Sequence, residues 1–203
     1  NETELLQTLY DAGGAPAGHG FSLDDIAAQK GYYSVHPVAD KPIRMIVLDS
    51  TDAAKNTPLG SMDKHQFTWL HEELVSAADQ HELVIVVSHH RLQDFDGKSK
   101  VSAEMVRDLL VSSDNVILHL TGHGHKDRKI LQTANGEDGF WELMTTSTID
   151  FPMQSRILEL VEKEVQAQNL LLRVALPDDI SRNLAATFDW PDTIESVQTL
   201  SHF

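Results

Sequence analysis

The stretch that most constrains this chain is Thr121-Gly122-His123-Gly124-His125, which follows the apolar run Asn115-Val116-Ile117-Leu118-His119-Leu120. The run reads as a strand, and the glycines mark where it stops and the chain must turn. On an extended chain, residues i and i+2 share a face, so the imidazoles of His123 and His125 can point at one place. Neutral imidazole is the commonest protein ligand for zinc-like metals, which makes a metal centre one reading of the pair. A solvated turn, in a chain that holds 11 histidines, is the plain alternative.

Composition narrows the choice of partner. The 203 residues, 41% of them apolar, suffice for one sizeable domain. The net charge of −15 disfavours binding to nucleic acid or to an anionic membrane surface. A protein this acidic that handles a phosphate ester needs local positive charge, and bound metal is one source. Cysteine is absent, which removes disulfides, thiolate metal sites and cysteine nucleophiles together. That fits the cytoplasm and equally fits an exported protein that needs no disulfide. The sequence has no apolar run approaching the ~18 residues of a spanning helix and no signal-peptide pattern at its start, although a mature chain whose signal has been removed would look the same.

Along the chain, Leu5, Leu6 and Leu9 give residues 1–11 a helical face. The glycine-rich loop 13–21 carries His19, either a solvated residue or a substrate contact on a mobile rim. Residues 31–35 read as a short strand. Residues 43–49 read as a firmer one, apolar enough to be buried on both faces. Asp49 at its end could serve a site, although an Asp that forms a turn is commoner there. A helix begins near Ser61 or Asp63 and keeps its period through Phe67, Leu70, Leu74 and Ala78, with Trp69 packing and His71 on the solvated face.

The run Leu83-Val84-Ile85-Val86-Val87-Ser88 is the strongest strand and delivers His89-His90 at its end. A loop (91–100) and a helix from Ser102, with Met105, Val106, Leu109 and Leu110 inward, lead to the strand before His123. Strand, helix and strand, with histidine at each strand's C-terminal end, make a βαβ crossover. In open α/β sheets that edge binds ligands. Beyond Arg128 the strands shorten and pair as hairpins: 129–133 with 140–146 across Asn135-Gly136, then 156–161 with 169–175. A helix near 178–188 and a polar tail are expected to close the chain, dividing it into a domain over 1–176 and a helix-and-tail segment over 177–203.

The strand ending Val86-Val87-Ser88-His89-His90, followed one βαβ unit later by Gly122-His123-Gly124-His125, resembles the calcineurin-like metallophosphoesterases, whose signature ends in a lone His and then Gly-His-x-His. Gly18-His19-Gly20-Phe21, Phe67-Thr68-Trp69-Leu70, Gly139-Phe140-Trp141-Glu142 and the stretch from Ile149 to Arg156 look like one bacterial branch of that family. The resemblance runs from about Gly13 to the closing helix. It implies an α/β fold, the family's αββα sandwich of two facing sheets. It also implies a hydrolase of phosphoric esters, mono- or diesters, that uses two divalent or trivalent transition-metal ions (Zn, Mn or Fe).

Carried over by position, His89 and His123 bind one ion and His125 the other. His90, next to a matched ligand, becomes the candidate catalytic residue, placed to contact phosphate or support the ligand. Adjacent strand residues face opposite ways, which favours only one of the pair as a ligand. Arg91, where the family usually has proline, adds a cation beside His19 as a candidate substrate contact.

The family's signature opens on its first strands with Asp-x-His, Gly-Asp and Gly-Asn-His. At the corresponding strand end this chain has Asp49-Ser50-Thr51, and the spellings Gly-Asp and Gly-Asn-His do not occur. The chain thus looks like the C-terminal part of such an enzyme. By itself it is expected to bind metal weakly and hydrolyse little, and a half-sheet left bare favours homo-oligomers or aggregation. A member that kept the fold as a binding module is the second reading. A serine hydrolase built on Ser88 is a poor third, since no Gly-x-Ser-x-Gly elbow is present.

Overall fold

The computed structural model describes residues 2–14, 17–51, 57–96, 99–134, 136, 139–151, 153–162, 170–175 and 198–200. The chain falls into two units, one of residues 1–124 and 128–144, the other of residues 125–127 and 145–203. The boundary expected near 176 and the helix expected over 178–188 lie outside the described residues.

The first unit opens with α1 (Glu2–Asp11) and the short α2 (Leu23–Ala27). In α2 the Ser22 hydroxyl accepts from the Asp25 amide while the Asp25 carboxylate accepts from the Ser22 amide, a reciprocal cap that holds the helix start. Six strands follow: β1 (Tyr33–Val35), β2 (Ile43–Val47), β3 (Leu83–Val87), β4 (Val116–Thr121), β5 (Arg128–Thr133) and β6 (Gly139–Met144). They form one mixed α/β sheet in the order β1-β2-β3-β4-β6-β5. The four inner strands are parallel, and each edge strand runs antiparallel to its neighbour.

Helices α3 (Lys64–Asp79) and α4 (Ala103–Val111) are the crossovers. Asp63 caps α3 by accepting from the Gln66 amide, and Ser102 caps α4 by accepting from Met105. Leu70, Leu74 and Ala77 of α3 and Val106 and Leu110 of α4 pack with Ile46, Val84, Val86, Val116 and Phe140 into one core. Burying each such large aliphatic side chain stabilises the fold by about 1.5–3 kcal/mol. The faces differ slightly from expectation. Ala77 rather than Ala78 is buried in α3, and Met105 points outward at 46% exposure. Trp69 packs against Tyr32, with ring centroids 4.7 Å apart, and His71 is exposed, as read.

β2 also departs from expectation. Its burial alternates instead of being continuous, and one buried position is Arg44. The guanidinium donates from Nε to Glu82 Oε2 at 2.7 Å and from Nη1 to Glu73 Oε2 at 2.9 Å. Glu82 and Glu73 in turn bind His36 and Ser34. The apolar run therefore hides an ionic tie between β1, β2, α3 and the start of β3.

The second unit contains β7 (Ile157–Glu162), β8 (Leu170–Ala175) and β9 (Gln198–Leu200), an antiparallel sheet in that order. β9 lies where only a polar tail is expected from sequence. Among the described residues no helix is long and apolar enough to cross a membrane.

Candidate metal centre

The parallel strands β2, β3 and β4 end together. Leu48 N–H donates to the Val87 carbonyl, Ser88 N–H to Leu120 and Gly122 N–H to His89, all at 2.8–3.0 Å. The turn after β4 is tight: Gly124 N–H donates to the Gly122 carbonyl at 2.8 Å, and His123 between them takes φ 62°. For a non-glycine residue that left-handed conformation stores about 1–3 kcal/mol of strain, and such strain collects at functional sites.

The outcome is a trio of imidazoles. His89, His90 and His123 each offer a ligand atom, and these atoms lie within 4.8 Å of one another. Ring centroids are 5.1 Å apart for His89 and His123, 4.4 Å for His90 and His123, and 4.8 Å for His89 and His90. His123 Nδ1 and His89 Nε2 sit 3.2 Å apart. Strand alternation does not separate His89 from His90, because β3 stops at Val87 and both residues lie in the bend beyond it.

The trio is graded in depth, with His89 exposed, His123 half-buried and His90 buried. Burial lowers the pKa of His90 first, and the neighbouring His123 and His89 lower it further, outweighing the Pro58 backbone and Asp94. A His90 kept neutral carries the lone pair that a metal needs. Ser50 fixes that ring: its Oγ lies 2.9 Å from His90 Nδ1 and accepts from His90 N–H at 3.2 Å. Gly60 makes room for it, since a Cβ there would stand 2.7 Å from His90 Cβ.

The remaining candidates sit in other settings. Arg91 is no free cation: Nε and Nη2 fork onto Asp94 at 2.8 and 2.6 Å, a bond that lowers the Asp94 pKa. His19 lies in a 3-10 turn (Ala17–Gly20) with its ring over Gly14. His125 belongs to the second unit, where its Nδ1 is 2.6 Å from Asp150. Asp49 forms the turn expected of it, accepting from the Thr51 amide and hydroxyl.

The spelling Asp-x-His does occur, at Asp63-Lys64-His65 and Asp79-Gln80-His81. The first caps the start of α3 and the second lies at its C-terminal end, so neither stands at a strand end. Ser50 and Gly60 are the contributors that sequence reading passes over. Ser50 carries a faint signal in its place at a strand's end.

Beneath the trio runs a second polar chain. Ser88 Oγ lies 2.8 Å from His119 Nε2, and His119 Nδ1 lies 3.2 Å from Glu142 Oε2. This is the residue order of a Ser-His-Glu triad, assembled from β4, β6 and the end of β3 rather than from Ser88-His89-His90, but the Ser88 proton goes to the His90 carbonyl at 2.7 Å and not to His119. All three residues are buried, at 7%, 0% and 1% exposure. A nucleophile needs substrate access, and this chain has little.

Three imidazoles suit Zn, Mn or Fe, so the donor set fits a transition metal. No family model matches the sequence, and no curated protein matches it. Among solved structures the chain is similar to a dimetal phosphatase from Danio rerio, with 13% sequence identity and a TM-score of 0.58. The match covers 83% of this chain, which spans 64% of that phosphatase. The likeness establishes the fold: this chain is built on the mixed α/β sheet of a dimetal phosphatase.

Proposed function

We propose that the chain is the histidine-bearing part of a metal-dependent phosphoric ester hydrolase. The observation that carries this reading is the convergence of His89, His90 and His123 from two neighbouring parallel strand ends onto ligand atoms within 4.8 Å. The fold shared with a dimetal phosphatase supports it. When bound there, the ion lowers the pKa of its water and stabilises charge on phosphoryl oxygens.

The chain's own residues do the holding. His90, neutral and pinned by Ser50, would be the fixed ligand, and the more exposed His89 and His123 would complete the set that holds the ion. His125 enters as ligand of a second ion through the Gly-His-x-His spelling alone. Arg91 and His19 are proposed contacts for a small phosphoester.

The test uses manganese or zinc with one generic phosphomonoester and one generic phosphodiester. Turnover that a chelator abolishes, and that His89→Ala or His123→Asn cuts by at least tenfold, supports the reading. Equal turnover in the variants ends it.

A fold retained for binding is the second reading, favoured by one observation. Among the described residues the clustered ligands are all imidazoles, with no carboxylate among them, and the Asp49 carboxylate is engaged in its own turn. Metal binding without turnover on either substrate would select it.

A further inference from the structure

The Ser88–His119–Glu142 chain is a weak source of stability for a sheet interior. Buried polar groups at the centre of a sheet are expensive unless fully paired, and apolar residues of similar volume often do as well or better. Here the pairing is incomplete: Glu142 Oε1 is buried with no hydrogen-bond partner among the described residues. Such a chain needs a purpose beyond packing.

Its two ends show where it acts. Ser88 Oγ donates to the His90 carbonyl at 2.7 Å, and Glu142 Oε2 accepts from the Leu92 amide at 3.2 Å. The segment 88–92, which carries His89 and His90, is therefore braced internally by the Ser88 hydroxyl on the His90 carbonyl and tied to the sheet interior at both ends, at Ser88 through His119 and at Leu92 through Glu142. His119 spans the gap between the ties from the middle of β4, the strand that also leads to His123.

We propose that Ser88, His119 and Glu142 are positioning residues that hold the 88–92 segment so that His89 and His90 meet His123 on one metal ion. The proposal rests on the metal-site reading above. The hydrogen-bond count supports it. The single Ser88 proton goes to the His90 carbonyl, so Ser88 Oγ faces His119 Nε2 as an acceptor. One hydroxyl thus fixes the backbone beside a ligand and the neighbouring strand together. Partners of this kind, behind the ligands, typically set metal affinity by 10–100-fold.

Cobalt(II) is the probe, because its visible absorption reports ligand geometry as well as occupancy. Wild type, Ser88→Ala and Glu142→Gln are titrated with cobalt, and the apo Tm of each is measured. The expected result is a ~10–100-fold loss of cobalt affinity in both variants, with an altered absorption band in the residual complex. A purely structural role would lower the apo Tm and leave affinity and band unchanged, and that outcome overturns the proposal. Glu142→Gln keeps the side-chain shape and covers the case in which Ser88→Ala folds poorly. If wild type itself binds no cobalt, the metal-site reading fails; if only the variants match wild type, the positioning role alone falls.

Discussion

Two residues show how the site is paid for in conformation and space. His123 sits at φ 62° in a tight turn, a left-handed geometry that asparagine adopts at least as readily as histidine. His123→Asn should therefore leave the apo Tm within a few degrees of wild type while removing a ligand and cutting zinc affinity at least tenfold, read by competition with a chromophoric chelator. Gly60 is constrained by space, its Cβ position being 2.7 Å from His90 Cβ and 2.9 Å from Phe95 Cδ1. Gly60→Ala must displace one of them. A cost of about 1–3 kcal/mol is expected in urea unfolding, together with weakened zinc binding. A neutral effect on both would show that the approach of Gly60 to His90 is not required.

At the scale of elements, caps and apolar runs decide what forms. Asp63 holds the first turn of the 16-residue α3 through the Gln66 amide, and Asp63→Ala should cost about 1 kcal/mol in urea unfolding with little effect on metal binding. The same logic explains which elements were legible. β3 shows as an unbroken apolar run and β4 as an apolar run interrupted by His119, and β5 pairs antiparallel with β6 as the turn residues between them predict. The α2 helix carries no periodic signal, since five residues are too few, although Ser22-x-x-Asp25 spells its cap. The joint convergence of His89 and His90 was illegible, since the face of each depends on where β3 stops and no propensity fixes that residue. The Ser88–His119–Glu142 chain was equally hidden. It joins three strands through residues 31 and 23 positions apart, and only the sheet order brings them together.

For the whole molecule, charge and buried ion pairs pull stability in opposite directions as pH falls. At a net charge of −15 the folded chain repels itself, and protonating surface carboxylates relieves that repulsion. The Arg44 network acts the other way. Burial raises the Glu82 pKa, but His36 and Arg44 outweigh it and hold the carboxyl below its ordinary value. A carboxyl depressed in the fold contributes stability above the unfolded-state value, near 4, and that contribution is lost as pH falls through the folded value. The two effects overlap in pH, so wild type alone cannot separate them. A difference can: Glu82→Gln keeps the common repulsion and deletes the local contribution. At pH 7 the variant should be less stable by about 1–3 kcal/mol in urea, because Arg44 keeps Glu73 but loses its second carboxylate. As pH falls below the unfolded-state carboxyl value, near 4, the gap should close while wild-type Glu82 takes up its proton. A gap that stays constant over that range would mean that Glu82 contributes by packing rather than by charge, and the tie between β2, α3 and β3 would lose its ionic explanation.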